Sequence, residues 1–439
     1  MSEERSWEAA SREGSRKAQL RRALRLSVEE RLQELETLTE TARALAGRSI
    51  PNDKPDAAHP ANRIAQNPTS YDPLSGRNQI ALDGCNPLPL SAYLKALGVL
   101  RLVAEQIDEE ARGFWREDRF ILITRLSASE LRNFLLRRYR PTPVLAPWNG
   151  GSGFYPKDNQ AGIQPIEDGA AVRLDRMRNS IDVIRKTLTA MRLDKRPDKD
   201  DKTALINALR NELPDPALAW LDAAILLSGE NPKYPPLLGT GGNDGRLDFT
   251  NNFMQRLVDV IDPDSGEPMA IAGSWLDGAL FGHAIPQLTS AAIGQFAPGN
   301  AGGPNSAAGF EGGALINPWD FILMIEGALM FAATATRRLE SARPGTLSYP
   351  FTVRATGAGS GASALADEAD SRAEVWLPLW SVPCTLPELR TLFSEGRATL
   401  GRQPARDGLD FVRAISKLGV DRGLEGFQRY TFVMRSGKA

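Results

Sequence analysis

Residues 148–159 read Trp-Asn-Gly-Gly-Ser-Gly-Phe-Tyr-Pro-Lys-Asp-Asn. The glycines free the backbone for positive φ and let amide N–H groups come close to another molecule. Asn149, Ser152 and Asn159 bring amide and hydroxyl groups, Lys157 a charge, and Trp148 and Tyr155 flat faces. This is chemistry for touching a polyanion or lining a groove, and no regular helix or strand accommodates it. The same residues also suit a tight turn pinned to a core by Trp148 and Phe154.

A second irregular stretch, 239–246, reads Gly-Thr-Gly-Gly-Asn-Asp-Gly-Arg, and the helix expected after it carries Asn251, Asn252, Gln255 and Arg256 in its first turns. Backbone amides ahead of a helix N-terminus can hold a phosphate. Neither known phosphate loop is matched. Asp244 stands where the dinucleotide fingerprint needs its third glycine, and no Gly-Lys-Ser/Thr closes a Walker loop.

Catalytic patterns are missing. Residues 150–154 end in Phe where a serine nucleophile elbow needs glycine. Asp158, Asp244 and Asp248 flank the glycine loops, where turn-stabilising carboxylates are common. His59 and His283 lie far apart and join no cysteine cluster, so neither a zinc site nor any cofactor is expected. Cys85 and Cys384 make no disulfide framework, and the start is unlike a signal peptide, which suggests a reducing cytoplasm. The reading is non-enzymatic; the alternative is an enzyme on a nucleotide or phosphate substrate using the 239–245 loop.

The net charge is −1, so contact with nucleic acid must rest on local patches. Two are visible. Ser127-Ala-Ser-Glu130 is a capping box that opens a helix bearing Arg132, Arg137, Arg138 and Arg140, which leads into the 148–159 loop. A helix expected over 172–201 carries Arg173, Arg176, Arg178, Arg185, Lys186, Arg192, Lys195 and Arg196, with Ile181, Ile184, Leu188 and Met191 as its apolar stripe.

The elements that must position these groups follow from periodicity. Leu90, Tyr93, Leu94, Leu97, Leu100 and Ala104 recur at helical spacing, with Lys95 and Arg101 off the stripe. Strands are expected at 119–126, 348–354, 373–379 and 426–434, and helices at 202–213, 216–227 and 407–418. Residues 321–335 read as a buried helix capped by Asn317 with Pro318 at its first position; the run is too short for a membrane span. Thr385-Leu-Pro-Glu388 caps another helix; 287–313 reads as either a mobile surface loop or one ordered by a ligand, and 357–361 as a flexible turn. The fold class is α+β, helix-rich and multi-domain. The expected parts are a helical hairpin at 1–48, a linker at 49–80, an α/β part at 81–170, a basic helical part at 171–265 and a mixed α/β part at 266–439 that reads as incomplete.

Long, unusual segments resemble the Csx-seventeen family, the large subunit of the type I-G (I-U) CRISPR surveillance complex, Cascade. They are 84–101 (Gly-Cys-Asn-Pro-Leu-Pro-Leu-Ser-Ala-Tyr-Leu-Lys-Ala-Leu-Gly-Val-Leu-Arg), 146–159, 241–254 (Gly-Gly-Asn-Asp-Gly-Arg-Leu-Asp-Phe-Thr-Asn-Asn-Phe-Met), 317–320 (Asn-Pro-Trp-Asp) and 418–423 (Leu-Gly-Val-Asp-Arg-Gly). The resemblance runs from about residue 81 onward. Residues 1–80 depart from the usual start of the family, whose members continue past the end of this chain.

The resemblance implies a non-catalytic subunit in antiviral defence that binds the guide RNA handle and target DNA. It implies reading of a short motif beside the target and the start of duplex opening. The partners it implies are CRISPR RNA, target double-stranded DNA, the backbone and handle-binding Cascade subunits and a helicase-nuclease, with no membrane. Candidate nucleic-acid-binding residues are then Trp148, Asn149, Gly150, Gly151, Ser152, Tyr155, Lys157 and Asn159. Arg138, Arg140, Arg185 and Lys186 join them, as do Gly241, Gly242, Asn243, Asn251, Asn252 and Arg256.

Overall fold

Two helices cross at the centre of the fold, and a pair of glycines decides how closely. The computed structural model describes residues 75–227, 232–239, 241–244, 247–300, 313–332, 334–336, 346–353, 374–396, 399–400, 403–405, 408–418 and 423–431. All belong to the unit Asp72–Ala439. The expected hairpin at 1–48, the linker up to residue 74, the turn at 357–361 and residues 432–434 of the last expected strand lie outside the described residues.

The described helices are α1 (Leu90–Gln106), α2 (Ala128–Asn133), α3 (Ile163–Asp168), α4 (Asp175–Ala190), α5 (Lys199–Glu212), α6 (Asp215–Ala224), α7 (Phe249–Val260), α8 (Ala272–Phe281), α9 (Pro318–Ala328), α10 (Leu386–Glu395) and α11 (Gly408–Leu418). With several small antiparallel sheets they make a mixed α+β fold. Local signals open several of these helices as expected. Ser127 and Glu130 form a reciprocal capping box on α2, and Thr385 and Glu388 do the same on α10. The Asn317 side chain accepts from Trp319 N–H at the start of α9.

α1 packs on α9. A Cβ at Gly98 would lie 2.0 Å from Leu323 O, and one at Gly327 would lie 1.8 Å from Leu94 O, so only glycine allows the backbones this approach. Burial extends round α1 to its charged residues. Lys95 Nζ meets Asp320 at 2.6 Å, and Arg101 meets Glu326 at 2.6 Å. Every oxygen of the fully buried Glu326 is engaged. Oε1 accepts from Tyr139 Oη (2.6 Å) and Thr142 N (3.0 Å), while Oε2 accepts from Arg101 and Thr142 Oγ1 (2.7 Å). Full satisfaction offsets the desolvation of the charges and clamps residues 139–142 to α1 and α9.

The largest sheet runs β1 (Asn78–Leu82), β3 (Arg119–Thr124), β2 (Arg112–Arg116), then Cys384–Thr385, all antiparallel. A second sheet joins Thr352–Val353, Glu374–Trp380 and Leu424–Thr431. Trp380 Nε1 donates to Gly113 O (2.7 Å), and Tyr93, Trp115, Phe120 and Trp380 form one aromatic cluster.

Four expectations are corrected. The linker does not reach residue 80, because 78–82 is a strand paired to β3. The three parts expected within 81–439 interleave: Cys384–Thr385 completes the sheet of residues 78–124, and α9 lies on α1. The helix expected over 172–201 is two helices. Arg192 turns left-handed (φ 55°), and Asp198, after Pro197, caps α5. The strand expected at 348–354 is broken by Pro350 and by Phe351 (φ 50°) into Thr346–Ser348 and Thr352–Val353.

Candidate nucleic-acid interface

Beyond the Glu326 clamp the chain enters the 148–159 loop, and its polar groups turn inward. Gly151 (φ 81°) and Gly153 (φ 91°) take conformations that aim successive amides at one point. The Asp158 carboxylate occupies that point. It accepts from Gly151 N (3.0 Å), Gly153 N (3.0 Å), Tyr155 N (3.4 Å) and Ser152 Oγ (3.4 Å). The loop therefore builds a concave anion site and fills it with its own side chain.

Its other polar groups bind the second motif segment. Trp148 Nε1 and Asn149 Nδ2 both donate to Gly241 O, at 3.0 and 3.1 Å. Asn251 Nδ2 returns to Gly151 O (2.6 Å) and Asn159 O (3.0 Å). Tyr155 Oη donates to Pro147 O (2.6 Å). A Cβ at Gly242 would lie 2.7 Å from the Trp220 ring, so this glycine makes room for packing. Asp248 caps α7, accepting from Asn251 N and Thr250 Oγ1, both at 2.7 Å. Its second oxygen is buried without a partner among the described residues. Burial outweighs those hydrogen bonds and pushes the carboxyl up to about 7, with Asp158 adding in the same direction.

These contacts correct the list of candidate residues. Trp148, Asn149, Ser152, Tyr155, Asn251 and Arg256 are buried, and their polar atoms are spent inside the protein. Gly241 and Gly242 are buried as well. Arg185 grips Glu167 through two hydrogen bonds (2.9 and 3.0 Å), donates to Phe154 O and lies over the Phe154 ring. Lys186 pairs with Asp182 one turn away, and Asn252 donates to Asp248 O. The Asn243 side chain, like Thr240, Gly245 and Arg246, lies outside the described residues. Still facing outward are the backbone at Gly150 and Gly151, Asn159, Lys157, Lys186, Arg138 and Arg140.

Gly241 presents its carbonyl to Trp148 and Asn149, and the start of α7 already holds the Asp248 carboxylate. Among the described residues no cluster of His, Cys, Asp and Glu is arranged to hold a metal, and no helix is long and apolar enough to cross a membrane.

Arg138 and Arg140 belong to a different place. Phe134–Arg138 is one turn of π-helix, closed by Tyr139 N–H on Phe134 O (2.8 Å). Beyond it Tyr139 is fixed on Glu326 and buried, which leaves Arg138 and Arg140 on either side of it exposed. Arg173 comes in from the short 3₁₀ turn Val172–Leu174. Its buried guanidinium donates to the carbonyls of Leu135, Leu136, Tyr139 and Gly266, at 3.1, 2.5, 3.0 and 3.1 Å. Four carbonyl dipoles hold the cation where burial alone would expel it, although burial still lowers its pKa to about 10.

The result is an open hollow of about 580 Å³, lined among others by Arg137, Arg138, Arg140, Arg173 and Arg176. Arg137 pairs with Glu267 on the rim, and Glu105 is engaged by Arg101 and Arg390. Arg138, Arg140 and Arg176 are exposed and form no ion pair among the described residues. Arg138 and Arg140 stood among the candidate contacts, whereas Arg137, Arg173 and Arg176 were legible only as members of the two basic patches. The patterns Arg-Arg-Tyr-Arg (137–140) and Arg-Leu-Asp-Arg (173–176) were visible; their convergence depends on the Arg173 contacts.

No family model matches the chain, and no curated protein matches it.

Proposed function

We propose that this chain is a non-catalytic, nucleic-acid-binding large subunit of a type I CRISPR effector complex, the role implied by its resemblance to the Csx-seventeen family. The observation that carries this reading is the arginine-lined hollow at residues 137–140 and 173–176, with three exposed guanidinium groups outside any ion pair among the described residues. A chain of net charge −1 that gathers such groups in one concavity is suited to phosphate by local field, not by overall charge.

In this reading the partners are CRISPR RNA, target double-stranded DNA, the backbone and handle-binding Cascade subunits and the helicase-nuclease, in the cytoplasm. Arg138, Arg140, Lys157 and Asn159 remain the candidate contacts. The buried members of the motif segments shape the body that presents them. Reading of a short motif and the start of duplex opening follow from the same role.

The test is co-expression with guide RNA and the other effector subunits. The reading expects the full chain to co-purify in a stoichiometric, guide-dependent complex that binds target DNA in a salt-sensitive way. A chain that stays apart from such a complex, with or without guide RNA, overturns it.

A further inference from the structure

The hollow permits a narrower statement about its ligand. Arg138 and Arg140 flank the buried Tyr139, and Arg176 faces them from the first turn of α4. Arg173 ties the two sides together through its carbonyl contacts, so the exposed guanidinium groups are held on anchored backbone. Such preorganisation limits the ordering cost of binding.

Size and lining then restrict the ligand. A hollow of about 580 Å³ has the capacity of a small-ligand site: a short run of one strand enters it, whereas a duplex meets it only with one backbone at its mouth. Among the described residues no exposed aromatic ring lines it: Phe134 is buried, and the apolar side chain on its lip is Val172, which is 70% exposed. Base stacking, the usual sequence-tolerant grip on single strands, is therefore absent and the backbone must supply the affinity. The adjoining smaller hollow sets Arg77 and Arg125 against Glu105, Asp108, Glu109 and Glu110, so it offers an anion no comparable excess of cations.

We propose that this hollow binds the phosphodiester backbone of single-stranded nucleic acid through Arg138, Arg140 and Arg176. The proposal rests on the nucleic-acid-binding reading above and adds the strand state, the site and its indifference to sequence. Arg173 is a positioning residue there, because its donors are spent on carbonyls.

The experiment uses the purified full chain and fluorescence anisotropy with short homopolymers, oligo-U RNA and oligo-dT DNA, across a salt series. Three contacts at roughly 0.7 ions each contribute about −2 to the slope of log K against log salt. The variant Arg138→Gln/Arg140→Gln/Arg176→Gln should lose that part of the slope and bind about ten- to a hundredfold more weakly at low salt. The charge-matched variant Arg116→Gln/Arg119→Gln/Lys233→Gln, at exposed positions away from every candidate contact, should bind as wild type does, and equal melting temperatures should show that both variants fold. Similar affinity for RNA and DNA identifies the shared backbone as the ligand, and tighter RNA binding adds a 2′-hydroxyl contact.

The proposal is overturned if the arginine variant binds as wild type does, or if both variants weaken alike. It is also overturned if a duplex binds more tightly than a single strand through the same arginines, or if poly-glutamate displaces the RNA at equal charge. These outcomes separate from failure of the broader reading. A chain that grips single strands through the hollow yet never enters a guide-dependent complex contradicts the effector role alone.

Discussion

Residues 148–159 and the stretch 134–140 with 172–176 are both irregular and polar, but they spend their polar groups in opposite ways. In the first, Asp158 collects three amides and a hydroxyl, and Trp148, Asn149 and Asn251 stitch two distant motif segments together. In the second, one buried arginine satisfies the carbonyls while three others stay exposed and outside any ion pair among the described residues. A glycine-rich, amide-rich motif is therefore no sign of a binding surface in itself. What decides is whether the loop contains its own counter-charge.

The contrast is broken most severely by removing the anchor of the closed region. Trp148→Ala should cost about 3–5 kcal/mol in urea unfolding, since it deletes a fully buried indole and removes one of the two donors to Gly241 O. A loss under about 1 kcal/mol would mean that the loop is not part of the core.

Asp248 gives the next largest effect, through pH. Burial pushes its carboxyl up to about 7, well above the ordinary aspartate range, so the folded state holds the proton more tightly. Its contribution to stability is fully present below about pH 4 and is lost as pH rises through 7, on the order of 4 kcal/mol in all. Asp248→Asn keeps the cap on α7 without the buried charge. It should flatten stability between pH 4 and 7 and leave the variant more stable than wild type at pH 8, as read by urea unfolding at each pH. Parallel curves for the two proteins would contradict this.

Asp158→Ala should cost about 2–3 kcal/mol, because the amides of Gly151 and Gly153 lose a charged acceptor. Asp158→Asn should recover part of that. The smallest effect sharpens the comparison from the other side. Arg138→Gln, Arg140→Gln and Arg176→Gln should each change stability by less than about 0.5 kcal/mol, as exposed side chains do when they support no core contact. A larger loss from any of them would place that arginine among the structural groups.

Where the sequence can be read locally, it was legible. The caps at Ser127, Asn317 and Thr385 are short-range hydrogen bonds written in three or four residues, and each forms as expected. The apolar stripe of α1 placed the helix, yet not the burial of Lys95 and Arg101, because their partners Asp320 and Glu326 are 225 residues away. The division into parts failed for the same reason: no local pattern reveals that Cys384–Thr385 pairs with β2. At the candidate site the arginines were legible as charges. Their standing as paired, buried or exposed was not, since Glu167 silences Arg185 while Arg173 is consumed by four carbonyls. Asp158 was legible as a turn carboxylate, but the chain alone did not reveal that it occupies the anion site its neighbours make.

Amide hydrogen exchange on the full chain, with and without a single-stranded oligonucleotide, tests the central contrast most directly. Slow exchange is expected at Gly151, Gly153 and Tyr155 in the free protein with no change there on adding the strand, while residues 134–140 and 172–176 gain protection. Fast exchange of those three amides in the free protein, or new protection that appears at 148–159 and not at the arginines, would contradict it.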